Sequence, residues 1–83
     1  MSTVVDIFVK DLRGSIYTIH IDKTSTVLDL KKNIQNCYKI PDSISPENQM
    51  IFQYKQRHFI EMKNDHILDN VRNDDILRLV HII

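Results

Sequence analysis

Histidine and cysteine are the side chains of this sequence best suited to metal binding or nucleophilic catalysis. The four histidines are His20, His58, His66 and His81, and the single cysteine is Cys37. They contain no HExxH motif and no closely spaced pair, and one cysteine cannot supply a four-cysteine zinc or iron–sulfur site. We therefore expect no metal, no cofactor and no intramolecular disulfide, with the histidines at the surface or partly buried.

The sequence has too few glycines for a phosphate-binding loop. Gly14 is the only glycine, whereas phosphate-cradling loops need several so that backbone N–H groups can approach the ligand. A Ser/His/Asp triad is a spatial arrangement that a sequence leaves open, but a chain this short rarely encloses a deep pocket. The residue types therefore favour a non-enzymatic protein.

Length and charge restrict the classes of partner. The chain has 83 residues, with 11 Lys and Arg against 11 Asp and Glu, so no basic excess favours nucleic acid or an anionic membrane. Its 42% hydrophobic and 27% charged residues are ordinary globular usage. No signal region and no apolar run near the roughly 18 residues of a membrane span occur. We expect one soluble, monomeric domain over 1–83, located in the cytoplasm or nucleus.

The first third of the chain alternates with the period of a β-hairpin. Residues 5–10 and 15–22 each alternate apolar with polar side chains, and Gly14 lies late in the short loop between them, where a positive φ is needed. The predicted inner face carries Val5, Ile7, Val9, Tyr17, Ile19 and Ile21.

Helical spacing follows the hairpin. Thr26 stands three residues before Asp29, an acidic variant of the capping box. Val27, Leu30 and Ile34 recur at helical spacing, which predicts a helix at about 27–38. Cys37 is interpreted as a packed helix residue, and Lys31, Lys32, Gln35 and Asn36 as largely solvated.

The remaining strands are shorter. In residues 49–53 we place Met50 and Phe52 on the inner face and Ile51 on the outer face. From 54 to 65 the polarity is high, and only Phe59 or Ile60 is a candidate core contact.

A compact turn at 67–71 leads to a last strand over 76–83, with Leu77 and Leu79 inward and Arg78 and Val80 outward. The element order predicts an α+β β-grasp roll, in which a mixed sheet of four to five strands wraps around one helix.

Five segments resemble the ubiquitin family in order and in residue type. They are IFVKDLRG (7–14), STVLDLKKNIQ (25–35), KIPD (39–42), MIFQYKQ (50–56) and ILDNV…DDILRLV (67–80). The pattern departs from the family at Lys39 and Tyr54, which replace glycines, so these turns are either remodelled or strained. The printed chain also ends at Ile83 without the family's terminal Gly-Gly.

The resemblance implies a set of site residues. Leu12, Ile51 and Val80 fall at the positions of the family's apolar recognition patch. Arg78, Lys55 and His81 fall at its rim, and Arg78 replaces a histidine, which would alter receptor binding. Lys10, Lys31 and Lys55 match lysines used for chain linkage, and without modification each is a solvated charge.

Three functions are compatible with this resemblance. The first is a non-conjugatable interaction module, free-standing or at the N-terminus of a larger protein, with partners of the ubiquitin-receptor, proteasome or chaperone type. The alternative is a covalent modifier whose Gly-Gly tail is missing from this chain. A small enzyme or cofactor carrier is disfavoured because ferredoxins of this fold need four cysteines and sulfur carriers need a terminal Gly-Gly.

Overall fold

The computed structural model describes residues 3–37 and 45–81, apart from the side chains of Cys37 and His81. The strands are β1 (Val4–Lys10), β2 (Ile16–Asp22), β3 (Gln49–Lys55), β4 (His58–Glu61) and β5 (Ile76–His81); α1 is Val27–Cys37, and a short 3₁₀ helix spans Pro46–Asn48. The sheet order is β2-β1-β5-β3-β4, with β1 and β5 parallel and the other pairs antiparallel. This mixed sheet with one helix confirms the predicted β-grasp fold.

The hairpin of β1 and β2 has the predicted faces. Val5, Ile7 and Val9 are buried on β1, because alternate side chains of a strand share one face. Gly14 has φ +86°, and the carboxylate of Asp11 accepts the backbone N–H groups of Arg13 and Ser15 at 2.9 Å. The loop is therefore ordered by its own first residue.

The capping box at the start of α1 is also confirmed. The Asp29 N–H donates to the Thr26 hydroxyl at 3.2 Å, and the Thr26 N–H donates to the Asp29 carboxylate at 3.1 Å. Val27, Leu30 and Ile34 are fully buried beneath the sheet. The predicted helix exit, including Lys39, lies outside the described residues.

Lys31 contradicts the expectation of a solvated side chain. It is only 6% exposed, and its ammonium group donates to the Asn64 carbonyl oxygen at 2.6 Å. Position 31 follows Val27 by four residues and precedes Ile34 by three, so it shares the core-facing side of α1. Burial lowers the pKa of Lys31 because it penalises the charged form.

The inward and outward faces of β3 are the reverse of those predicted. Ile51 is fully buried, together with Gln49 and Gln53, whereas Met50 and Phe52 face the outer side and are only partly buried. The Gln49 amide donates to the Lys31 carbonyl at 2.9 Å, and the Gln53 carbonyl oxygen accepts from Asn70 at 3.4 Å. Because these amides have hydrogen-bond partners, burying them is tolerated.

Residues 54–66 contain the strand that the sequence did not reveal. Positive φ falls on Gln56 (50°) and Arg57 (68°) in the β3–β4 turn, not on Tyr54, so the turn is remodelled relative to the family pattern. Phe59 and Ile60 are both more than half exposed, and the core contact of this region is Met62. The prediction that Phe59 or Ile60 enters the core was wrong.

The end of the described chain follows the predicted pattern. Leu68 and Val71 are buried in the turn before β5, while Ile67 is exposed. On β5, Leu77 and Leu79 are buried, and Arg78 and Val80 lie on the outer face. The outer face of β3, β4 and β5 is open to solvent and carries the candidate site.

Candidate protein-binding face

An open groove of about 390 Å³ crosses the outer face of the sheet. We call it the apolar groove, and it is lined by Leu12, Phe52, Phe59, Arg78 and Val80. Leu12 and Phe59 are its exposed walls, whereas Phe52 and Val80 are partly buried in its floor. Four of its five side chains are therefore apolar and accessible to a partner.

Strand pairing brings these side chains together from distant parts of the sequence. Phe52 on β3 lies directly opposite Arg78 on β5, and Met50 lies opposite Val80. Leu12 projects from the loop that Asp11 orders. The groove is thus built on paired strands and a hydrogen-bonded loop, which hold it in place before a partner binds.

Aromatic contacts fix the wall formed by Phe59. The ring centroids of Tyr54 and Phe59 are 4.9 Å apart, with the planes tilted by 56°. The Arg78 guanidinium also contacts Phe59 and lies 5.9 Å from the centroid of its ring. Each contact is worth about 0.5–1.5 kcal/mol, so Phe59 is oriented although its side chain is exposed.

The charge of the apolar groove is positive. The ion pairs among the described residues join His20 to Asp6 and Lys63 to Glu61, and neither involves Arg78. Lys10 is the register neighbour of Arg78 on β1. The guanidinium of Arg78 can therefore donate hydrogen bonds to a carboxylate of a partner protein.

The structure brings together some of the predicted site residues and separates others. Leu12, Arg78 and Val80 line the apolar groove. Ile51, predicted to join them, is 0% exposed in the core, because β3 presents its other face. Lys55 is exposed but does not line the groove, and the His81 side chain lies outside the described part of the molecule.

Phe52 and Phe59 are groove residues that the sequence analysis missed. The apolar alternation of Met50, Phe52 and Tyr54 was visible, but it was interpreted as the core-facing side of the strand. Phe59 lies on β4, and the polar composition of 54–65 concealed that strand.

The three candidate modification lysines differ in access. Lys55 is exposed and Lys10 is partly buried. Lys31 has its ammonium group enclosed and hydrogen-bonded to Asn64. Lys31 is therefore the least accessible of the three, and modification of any of these lysines stays a prediction.

The residues that the structure describes hold no group of three or more His, Cys, Asp or Glu side chains placed to bind a metal ion. None of the helices in the described ranges has the length and apolar character needed to cross a membrane.

Comparison with known proteins gives the family. A search of curated proteins returned no match. The family model described as the ubiquitin family matches residues 7–80, which is most of the chain and includes every strand and the helix in whole or in part. The mixed five-stranded sheet with one helix agrees with that match. This chain belongs to the ubiquitin family.

Proposed function

We propose that this chain is a protein–protein interaction module that recognises its partners through the apolar groove. The observation that carries the proposal is the face of β3: Phe52 points out of the sheet while Gln49 and Gln53 point into the core. Full burial of a large apolar side chain contributes about 1.5–3 kcal/mol. Because Phe52 is only partly buried, the strand forgoes part of that stabilisation and places the phenyl ring where a partner can cover it.

The lining of the apolar groove defines the partner it fits. Leu12, Phe59 and Val80 would contact an aliphatic or aromatic side chain, and Arg78 would pair with a carboxylate beside it. The groove is small, so binding is expected to be weak and rapidly reversible. Such partners are of the ubiquitin-receptor, proteasome or chaperone type, in which small apolar surfaces bind proteins of this family.

The modifier alternative uses the same groove and differs only at the C-terminus. A covalent modifier needs a terminal diglycine that an activating enzyme can adenylate and transfer to its cysteine. The sequence of the complete open reading frame, and a thioester assay of its product with activating enzyme and ATP, separate a modifier from a non-conjugated module.

Two exposed groove residues provide the direct test. Leu12→Glu and Phe59→Glu each place a carboxylate in the groove at a position more than half exposed, so the fold should persist. Ile16→Glu is the matched control, because Ile16 is 58% exposed, close to the 56% of Phe59, but does not line the groove. Binding is measured by NMR titration of the ¹⁵N-labelled chain with a panel of purified ubiquitin-receptor domains and chaperones.

We expect members of the panel to bind the wild-type chain and Ile16→Glu but not the two groove variants. The proposal is wrong if no panel member binds, or if Leu12→Glu and Phe59→Glu bind every partner as tightly as Ile16→Glu does. Thermal denaturation of each variant confirms that lost binding does not reflect unfolding.

A further inference from the structure

A second groove, of about 530 Å³, lies beside β4 and the turn that follows it. We call it the acidic groove, and the residues that matter here are Ile60, Met62, Asp65, Ile67 and Asp69. None of them lines the apolar groove. Ile60 and Ile67 are each 52% exposed, whereas Met62 belongs to the buried core.

The exposure of Ile60 follows from its position at the edge of the sheet. Ile60 pairs with Gln53, so its side chain lies on the face of the sheet that elsewhere packs the core. On β3, the buried neighbours Ile51 and Gln53 share that face, but β4 is the terminal strand and Ile60 remains open. The core layer therefore ends with an uncovered aliphatic side chain.

Ile67 is held firmly despite its exposure. It forms an antiparallel bridge with Thr26. The Val27 N–H donates to the His66 carbonyl at 2.9 Å, and the Leu68 N–H donates to the Ser25 carbonyl at 3.0 Å. The backbone on both sides of Ile67 is thus tied to the start of α1, so little conformational entropy is lost when a partner binds it.

The charge of the acidic groove is opposite to that of the apolar groove. Three carboxylates line it, those of Glu61, Asp65 and Asp69, and no lysine or arginine does. Lys63 pairs with Glu61 at 2.9 Å, but Asp65 and Asp69 form no ion pair with any residue that the structure describes. A chain of zero formal net charge therefore concentrates negative charge beside two exposed isoleucines.

We propose that the acidic groove binds a short basic segment of a partner protein, in which one aliphatic side chain contacts Ile60 and Ile67 and flanking lysine or arginine residues face Asp65 and Asp69. The aliphatic lining selects the anchor, and the two unpaired carboxylates select the flanking charge. This partner differs from the one expected at the apolar groove, where Arg78 favours a carboxylate. The two grooves share no lining residue, so the two kinds of partner would contact different side chains.

Synthetic peptides provide the probe. The first set carries one leucine or isoleucine with lysine or arginine on each side. A second set replaces the basic residues with glutamate, and a third replaces the aliphatic residue with serine. Each set is titrated into the ¹⁵N-labelled full chain, and the affected amides are identified.

We expect peptides of the first set to bind and to shift amides within 60–70, with little binding by the other two. The proposal is overturned if no peptide of the first set binds, or if those that bind shift the amides around Leu12 and Phe52 instead.

Charge-reversal variants locate the site. Asp65→Lys and Asp69→Lys should each weaken binding of the basic peptides by about two- to thirtyfold, since an exposed attraction of about 0.2–1 kcal/mol is lost and a similar repulsion is gained. Glu47→Lys makes the same charge change at an exposed position outside the groove. Equal weakening by Glu47→Lys and by the two groove variants would refute the site.

Further variants test the aliphatic anchor and the independence of the two grooves. Ile67→Ser and Ile60→Ser should each abolish measurable binding of the basic peptides while the thermal midpoint stays near that of the wild type. Retained binding by both would refute the anchor. Leu12→Glu should bind the basic peptides as tightly as the wild type does, whatever its effect at the apolar groove. If Leu12→Glu lost binding of the basic peptides, the two grooves would not be separate sites.

Discussion

Ile51→Glu is expected to destabilise the domain severely, whereas Phe52→Glu, one residue along β3, is expected to leave it folded. Ile51 is 0% exposed, so its replacement loses about 1.5–3 kcal/mol of apolar burial. The new carboxylate must also be protonated or desolvated at neutral pH. A pKa raised by about 3 units in such a site costs roughly 4 kcal/mol at pH 7. The sum is about 5–7 kcal/mol.

The stability available to a chain of 83 residues is about 4–12 kcal/mol. Ile51→Glu therefore removes from roughly 40% to all of it. Phe52 is partly buried and faces the open side of the sheet, so Phe52→Glu loses at most about 1.5–3 kcal/mol of packing and its carboxylate stays in water. The expected difference between the two variants is about 4 kcal/mol, which arises mainly from ionisation.

Urea denaturation at pH 7, followed by circular dichroism, measures both free energies of unfolding. Ile51→Gln is the control for charge, because it loses the packing without adding an ionisable group. Ile51→Glu should also recover stability relative to Ile51→Gln as the pH falls from 7 to 5, where the buried carboxyl is neutral. If Phe52→Glu is the more destabilised variant, the described register of β3 is wrong and Ile51 belongs to the binding face.

Three further predictions concern the capped helix, the buried lysine and the acid range. Thr26→Ala should cost about 1 kcal/mol, a fall of roughly 4–8 °C in the thermal midpoint; an unchanged midpoint would show that the cap contributes nothing. Asn64→Ala removes the acceptor of the buried Lys31 ammonium and should cost about 1.5–3 kcal/mol in urea denaturation; Lys31→Met should then cancel the loss, and persistence of the loss would count against the hydrogen bond. Hydrogen bonds from the Thr24 N–H and from the Thr24 and Thr3 hydroxyls hold the pKa of Asp22 below its ordinary value, so its contribution is complete above the unfolded pKa of about 4 and is lost as the pH falls through the folded value. Asp22→Asn should flatten that part of the stability-against-pH curve, and an identical curve would refute the assignment.

Periodicity was sufficient for the first hairpin and the helix, because each presents one apolar face and one polar face. Val5, Ile7 and Val9 on β1 are buried as the alternation predicts, and Thr26 caps α1 as its spacing predicts. The same reasoning failed for Lys31. Its position on the core side of α1 was visible, but the acceptor that makes its burial tolerable comes from Asn64, far along the chain.

Strand β3 failed for a related reason. Its two faces are Gln49, Ile51 and Gln53 on one side and Met50, Phe52 and Tyr54 on the other, so hydrophobicity alone favours the wrong one. The Gln49 amide donates to the Lys31 carbonyl and the Gln53 carbonyl oxygen accepts from Asn70, and the local sequence pattern does not indicate these partners. Leu12, Arg78 and Val80 were placed correctly because the elements that carry them were predicted correctly. Phe52 was missed because β3 was assigned the wrong inner face, and Phe59 was missed because β4 was not recognised.

The register of β3 connects the two grooves. Phe52 lines the apolar groove, and its neighbour Gln53 lines the acidic groove on the opposite face while accepting a hydrogen bond from Asn70. A slip of one residue would place Phe52 inside and Gln53 outside, because side chains alternate strictly between the faces of a strand. It would remove the aromatic floor of the first groove and the hydrogen bond between Gln53 and Asn70 at the second. The hydrogen bonds of Gln49 and Gln53 form only when both side chains face inward, so they favour the described register over one slipped by a residue.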